Sequence, residues 1–213
     1  MKLGFVSAIL DGWTFEEMMD TAAGLGYECV EAACWPQGKA ERRYAGVSHI
    51  DVDNDSREYV NHIHETCKKT GVEISALAYY PNTMDGDFQK REAAIRHLKK
   101  VIAFSEKLGV GMVTTFVGRD QTKSVEENLE AFGRIWPPII RYAEEHGVRI
   151  AIENCPMLFV REQWAGGHNL FTSPALWRKM FDMIPSRNFG INYDPSHFVW
   201  QMMDHIQPIY EFR

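Results

Sequence analysis

The chain has 213 residues, 45% of them hydrophobic and 24% charged, which is enough apolar sequence to bury a sizeable core in one large α/β domain or two small ones. Its formal net charge of −6 argues against a nucleic-acid partner, because a phosphate backbone favours a basic protein face. No run of about 18 apolar residues occurs, so we expect no membrane span. The four cysteines show no CxxC spacing, and we interpret them as reduced thiols in a cytoplasmic protein.

Hydrophobic patterning predicts strands and helices that alternate along the chain. Strands are predicted at residues 5–10, 29–35, 72–79, 110–117, 148–152 and from 189 onward. Helices are predicted after Thr14, near Ser56, over Phe88 to Leu108, after Ser124, after Ser173 and around Pro208. Two of these helix starts have the capping-box pattern, Thr14 with Glu17 and Ser124 with Glu127.

The sequence also predicts the shape of one helix and the buried face of another. Pro137-Pro138 should kink or divide the helix that starts after Ser124, because proline removes a backbone donor and its ring clashes with the preceding turn. In the helix after Ser173, the apolar stripe is predicted to be Leu176, Met180 and Met183.

Four junctions between a helix and the next strand share one feature. Each has a glycine that can adopt a left-handed cap and turn the chain directly into a buried strand: Gly26, Gly71, Gly109 and Gly147. Strands that are apolar throughout indicate a parallel sheet covered by helices. Long loops after strands and short loops after helices favour a (βα)8 TIM barrel. A doubly wound open sheet is the alternative, but no G-x-G-x-x-G turn follows the first strand.

The number of predicted strands is lower than a barrel requires. The sequence provides about six βα units, whereas a (βα)8 barrel has eight and typically takes about 250 residues. We therefore expect residues 1–213 to form a single TIM-barrel domain that is truncated before strands seven and eight.

Polar side chains follow the last two predicted strands. The strand Val148 to Ile152 ends on Glu153-Asn154, and the strand that starts at Phe189 leads to Asp194, where Pro195 forces a turn. His197 lies three residues beyond this aspartate. Because parallel strands bring their carboxyl ends to one edge, two carboxylates and one imidazole are expected to lie together.

The residues at these two strand ends resemble those of a known family. Ile150-Ala151-Ile152-Glu153-Asn154 and Asn192-Tyr193-Asp194-Pro195-Ser196-His197 resemble the fifth and sixth strand ends of the xylose isomerase-like TIM barrels. Lys2-Leu3-Gly4-Phe5 and the segment from Gly166 to Pro174 also resemble members described as sugar phosphate isomerase/epimerase. The superfamily includes sugar isomerases and epimerases, inosose dehydratases and endonuclease IV.

The resemblance implies a role for each strand-end residue. Glu153 would be a metal ligand and the catalytic acid or base, Asp194 a second metal ligand, and His197 a substrate contact beside the metal. Asn154 would also contact substrate. Oxygen-rich ligation favours Mn²⁺, Mg²⁺ or Co²⁺, with Zn²⁺ as an alternative. The two other usual ligands, a histidine on strand seven and a glutamate on strand eight, have no counterpart in this sequence.

The implied activity is that of a metal-dependent sugar isomerase or epimerase acting on a sugar or sugar-like keto compound through an enediolate. A dehydratase of an inosose or related keto-polyol would share that intermediate and stays open, as does a non-catalytic barrel fragment that binds sugar. The nuclease branch is disfavoured, because strands two and three end on Trp35-Pro36 and Tyr80-Pro81 without a histidine.

Residues outside these strand ends carry weaker expectations. Glu31 and Trp35 on the second strand are predicted substrate-binding residues, the first because an unpaired mid-strand charge is costly and the second because an indole can stack on a sugar ring. A basic partner for Glu31 and a packing role for Trp35 are the alternatives. Glu153 could instead pair with Arg149 or Arg119, and Cys155 is interpreted as a buried packing residue. Exposed apolar edges of an open barrel would favour a homo-oligomer.

Overall fold

The computed structural model describes residues 1–38, 45–158 and 167–213. Its six strands are β1 (Gly4–Val6), β2 (Cys29–Ala33), β3 (Glu73–Ala78), β4 (Met112–Thr115), β5 (Arg149–Glu153) and β6 (Phe189–Asn192). Its helices are α1 (Phe15–Gly24), α2 (Arg57–Thr70), α3 (Phe88–Leu108), α4 (Val125–Glu145), α5 (Pro174–Met183), α6 (Ser196–Trp200) and α7 (Gln207–Glu211). Residues 39–44 of the predicted loop after strand two, and Gly166 of the resembling segment, lie outside the described residues.

The chain divides into two compact units. The first comprises Met1–Tyr80, His97–Val113 and His146–Val148, and the second comprises Pro81–Arg96, Thr114–Glu145 and Arg149–Arg213. That residues 1–213 form a single domain stays a prediction.

Strand pairing within each unit is parallel and follows chain order, as the apolar strands indicate. In the first unit β1 pairs with β2 and β2 with β3, with a register shift between Val30 and Glu31. In the second unit β5 pairs with β6, and Glu153 lies opposite Asn192. The carboxyl ends of β5 and β6 are therefore aligned.

The predicted glycine junctions are confirmed. Gly26, Gly71, Gly109 and Gly147 have φ values of 80°, 71°, 68° and 63°. These values lie in the left-handed region that glycine enters without steric cost, and each residue turns the chain from a helix toward the next strand.

Both predicted capping boxes are present. Thr14 Oγ1 accepts the Glu17 N–H at 3.1 Å, and Glu17 Oε2 accepts the Thr14 N–H at 2.8 Å. The same two bonds join Ser124 and Glu127, at 3.1 Å and 2.9 Å. Each box satisfies two backbone donors that a helix N-terminus would otherwise leave unpaired.

The first strand is shorter than the sequence predicts. It ends at Val6, and a 3₁₀ helix (Ser7–Ile9) replaces the rest of the predicted strand. Ser7 is fully buried, and its hydroxyl accepts the Ala33 N–H at 2.8 Å and bonds His49 Nδ1 at 2.9 Å. This side-chain pairing holds the backbone in a turn that apolar patterning does not predict.

Helix α4 runs from Val125 to Glu145 and is not divided at Pro137-Pro138; of the two predicted effects, division does not occur and a kink stays a prediction. The large side chains on both sides of the prolines are buried, including Trp136 and Ile139. Burial of a large apolar side chain contributes about 1.5–3 kcal/mol, so several of them offset the roughly 3 kcal/mol that an internal proline costs.

The buried stripe of α5 also differs from the predicted one. Trp177 and Met180 are buried, whereas Met183 is 42% exposed. Trp177 stacks on Phe171 at 5.4 Å and on Phe198 at 5.3 Å between ring centroids. Trp177 has a larger apolar surface than Met183, and its burial therefore sets which side of α5 faces the core of the second unit.

In the described part of the chain, no helix combines the length and apolar character needed to cross a membrane. All four cysteines are free thiols, as predicted, with Cys29 and Cys34 buried and the other two half-buried.

Candidate active site

The ends of β5 and β6 place two carboxylates at the same edge of the second unit. Glu153 is the last residue of β5, and Asp194 lies two residues beyond the end of β6. Their side chains are 21% and 40% exposed, so both carboxylates reach solvent while part of each is shielded.

A buried amide fixes Asp194 against the end of β5. The Asn154 side chain is fully buried, and its Nδ2 donates to the Asp194 carbonyl at 2.9 Å. Its Oδ1 accepts the Asp194 N–H at 2.7 Å. Both ends of the amide therefore bond the Asp194 backbone and hold it in position, while the predicted substrate contact of Asn154 stays a prediction.

His197 lies between the two carboxylates. Asp194 Oδ1 accepts the Ser196 N–H at 2.8 Å at the start of α6, which sets the direction of that helix. His197 Nε2 is then 3.4 Å from Glu153 Oε1 and 3.3 Å from Asp194 Oδ2. Among the described residues, Glu153 pairs with this histidine and with neither Arg149 nor Arg119.

The surroundings of His197 put a proton on Nε2. The Trp200 indole nitrogen lies 3.2 Å from Nδ1, and in the neutral ring its N–H donates to Nδ1 and leaves the ring proton on Nε2. Burial disfavours the charged ring, but hydrogen bonds with Cys155 and Glu153 outweigh it and raise the pKa of His197 to about 10. Neutral or charged, His197 directs an N–H at the carboxylates and acts as a donor.

Cys155 belongs to the same cluster. Within residues 1–38, 45–158 and 167–213, Glu153, Cys155 and His197 offer ligand atoms that all lie within 4.8 Å of one another. The interpretation of Cys155 as a buried packing residue is corrected in one respect, because the thiol is half-buried. Its position was readable from the sequence, because side chains two residues apart on an extended chain point to the same side.

A second buried amide, Asn169, fixes the backbone beneath Glu153 and Cys155. It is 2% exposed, and its Nδ2 donates to the carbonyls of Glu153 at 3.0 Å and Cys155 at 2.8 Å. Its Oδ1 accepts the N–H of Gly118 at 3.3 Å. Sequence patterning assigned no role to Asn169, although it lies in the segment from Gly166 to Pro174, and no spacing rule distinguishes it from a solvated loop residue.

The two other predicted substrate-binding residues, Glu31 and Trp35, lie in the first unit. Glu31 is half-buried on β2 and accepts a hydrogen bond from the Tyr80 hydroxyl. The Trp35 ring packs edge-on against the Tyr79 ring with 4.9 Å between ring centroids, and the Tyr79 ring packs edge-on against the His97 ring with 4.6 Å between centroids. Their binding role stays a prediction.

The donor set at the strand ends fits a divalent cation. Two partly shielded carboxylates lie beside a single imidazole, and a thiol belongs to the same cluster. Anionic groups therefore outnumber cationic ones at this place, as a divalent cation requires. Glu153 and Asp194 are the residues that would hold a metal, since each carboxylate has lone pairs beyond those that His197 engages.

Parallel strands alternate with helices along this chain, and acidic residues lie at the carboxyl ends of strands. Both features are those of TIM-barrel proteins, whose sites lie at that end of the barrel. Residues 19–213 match the family model described as the xylose isomerase-like TIM barrel, and the chain belongs to this family. This confirms the fold predicted from the strand ends.

Solved structures with the same fold include enzymes of more than one reaction type. The probable 3-DHS dehydratase AsbF from Bacillus anthracis is 16% identical with a TM-score of 0.74, and the match covers 100% of this chain and 70% of that one. A D-tagatose 3-epimerase-like protein is 18% identical with a TM-score of 0.70, covering 100% and 71%. The IOLI protein, solved with a zinc atom, is 17% identical with a TM-score of 0.68, covering 96% of this chain and 66% of its own. No curated protein sequence matches the chain.

Proposed function

We propose that the protein is a divalent-metal-dependent isomerase or epimerase that acts on a sugar or a sugar-like keto compound. The observation that carries this proposal is the convergence of Glu153 and Asp194, from two adjacent parallel strands, on the Nε2 atom of His197. Family membership and neighbours described as epimerases support the same class.

In the proposed reaction, Glu153 removes the proton from the carbon next to the substrate carbonyl. Its position at the tip of β5, with its backbone carbonyl held by Asn169, keeps the carboxylate in a fixed place for that transfer. A divalent ion held by Glu153 and Asp194 would polarise the carbonyl and the adjacent hydroxyl oxygen. The His197 Nε2–H can donate to an oxygen that gains charge, which stabilises the resulting enediolate.

Proton return decides the product. Return to the other face of the same carbon gives an epimer, and return to the adjacent carbon gives the isomer. A dehydratase is the second candidate, favoured by the same Nε2–H, because a proton donor beside the base can assist departure of a hydroxyl group.

The proposal is tested by following exchange of the proton next to the carbonyl in D₂O by NMR. Wild-type protein with Co²⁺ or Mn²⁺ would be offered D-tagatose and 3-DHS, the compounds named for two of the neighbours. We expect exchange on one of them and a loss of about 100-fold to 10,000-fold in Glu153→Gln.

Glu130→Gln on the exposed face of α4 is the matched control and should retain the wild-type rate. Loss of water from the product identifies the dehydratase. Binding of a sugar without exchange, with or without metal, would contradict the catalytic proposal and leave the sugar-binding alternative.

A further inference from the structure

We infer that Cys155 is a metal ligand of the proposed site, so that the site binds Zn²⁺ and Co²⁺ in preference to Mg²⁺. This inference rests on the proposed function, because it assigns an additional donor to the metal that Glu153 and Asp194 would hold. It concerns the thiol, which the oxygen-based ligand set leaves out.

The position of the thiol is the first argument. Cys155 lies two residues beyond Glu153, so both side chains leave the extended chain on the same side, and Sγ lies within 4.8 Å of the ligand atoms of Glu153 and His197. A tetrahedral ion that binds an oxygen at about 2.0 Å and a sulfur at about 2.3 Å holds them about 3.5 Å apart, so the two side chains would need to close by at most about 1.3 Å.

The backbone around Cys155 holds the sulfur in position. The Met157 N–H donates to Cys155 Sγ at 3.4 Å, which holds the side chain in place. Met157 has a φ of 56°, in the left-handed region that a methionine rarely adopts, and is itself buried. Asn169 holds the Cys155 carbonyl at 2.8 Å, so the residue is fixed on both sides.

The chemistry of the other donors is consistent with a thiolate ligand. Cys155 is the sulfur donor of a cluster whose other possible donors are the Glu153 carboxylate and the His197 imidazole. On metal binding the S–H bond breaks, the proton leaves to solvent and a sulfur–metal bond forms. Thiolate favours Zn²⁺ and Co²⁺, whereas Mg²⁺ takes oxygen ligands.

The test is a Co²⁺ titration of the 213-residue chain followed by ultraviolet and visible absorption. We expect a thiolate-to-cobalt charge-transfer band that Zn²⁺ abolishes by displacement and Mg²⁺ leaves unchanged. Cys155→Ser should lack the band and bind Co²⁺ at least about tenfold more weakly, the loss that follows even from removing an outer-shell partner. Cys67→Ser, which removes the other half-buried thiol, should retain the band.

A second measurement uses wild-type protein alone and does not depend on the folding of a variant. Alkylation by iodoacetamide, mapped by mass spectrometry, should slow at Cys155 when Co²⁺ is added and stay unchanged at Cys67. Equal alkylation of Cys155 with and without Co²⁺ would overturn the inference.

The outcomes separate the two proposals. Calorimetric binding of Co²⁺ to wild-type protein without a charge-transfer band, or a band that survives in Cys155→Ser, overturns the inference and leaves the proposed function standing. No binding of Co²⁺ to wild-type protein overturns both.

Discussion

Asn154 connects the two strand ends that carry the carboxylates. Its buried amide bonds the Asp194 N–H and carbonyl at 2.7 Å and 2.9 Å, so the position of Asp194 depends on a side chain that belongs to the end of β5. A buried polar group that loses its partner incurs its full desolvation cost.

Asn154→Ala should therefore destabilise the protein by about 1–3 kcal/mol in urea unfolding, because the Asp194 backbone loses both partners. Asn61→Ala, at an exposed position on α2, is the control and should change the unfolding free energy by less than about 0.5 kcal/mol. Equal stability of the two variants would show that the Asn154 bonds contribute little.

At the residue scale, the sequence predicted which strand-end side chains lie together but not their supporting contacts. Strand-end position was sufficient to select Glu153, Asp194 and His197, because a parallel strand ending on a carboxylate leaves it at the edge of the sheet. Asn169 could not be selected, since three of its four backbone partners, Gly118, Glu153 and Cys155, lie far from it in sequence. The burial of Cys155 was overestimated because spacing alone does not report burial.

Among the elements, glycine caps decide where helices stop and strands begin. Gly71 ends α2 with a φ of 71°, and a Cβ placed there would meet nothing within 4 Å. The backbone conformation, rather than crowding, therefore requires glycine at this position.

Gly71→Ala should destabilise the protein by about 1–2 kcal/mol, the cost of a left-handed conformation for a residue with a Cβ. Gly24→Ala is the matched control: it lies in α1, also with no neighbour within 4 Å of a Cβ. Its backbone is helical, so alanine should stabilise by about 0.5–1 kcal/mol. Thermal unfolding of both variants measures the difference, and a loss of similar size in each would contradict the account.

The sequence predicted the start or end of a helix correctly where the residues that determine it lie close together in the chain. Capping boxes and glycine caps act within a few residues, and these were found where the sequence placed them. The undivided α4 and the short β1 were missed because their causes are tertiary, namely burial on both sides of Pro137-Pro138 and the pairing of Ser7 with Ala33 and His49.

For the whole molecule, exposed apolar side chains near the end of the sequence bear on association. Val199, Met202, Ile206 and Ile209 are 53–94% exposed. Contiguous exposed apolar surface marks an interaction site more often than isolated side chains do.

We expect the chain to self-associate through this segment. The sedimentation coefficient of wild-type protein should rise with concentration, and Met202→Ser combined with Ile206→Ser should reduce that rise. Leu25→Ser, which removes a side chain that is 70% exposed on another part of the chain, should not. A monomer at all concentrations that binds no hydrophobic dye would contradict this expectation.

The measurement that tests the central claim most directly is calorimetric titration of Co²⁺ into wild-type protein, Glu153→Gln and Asp194→Asn. Both substitutions keep the shape of the side chain and remove its charge, so each should weaken binding by at least about tenfold. Glu130→Gln should bind as wild type. Absence of binding to wild-type protein, or binding that neither strand-end substitution weakens, would contradict the assignment of Glu153 and Asp194 as the metal-holding pair.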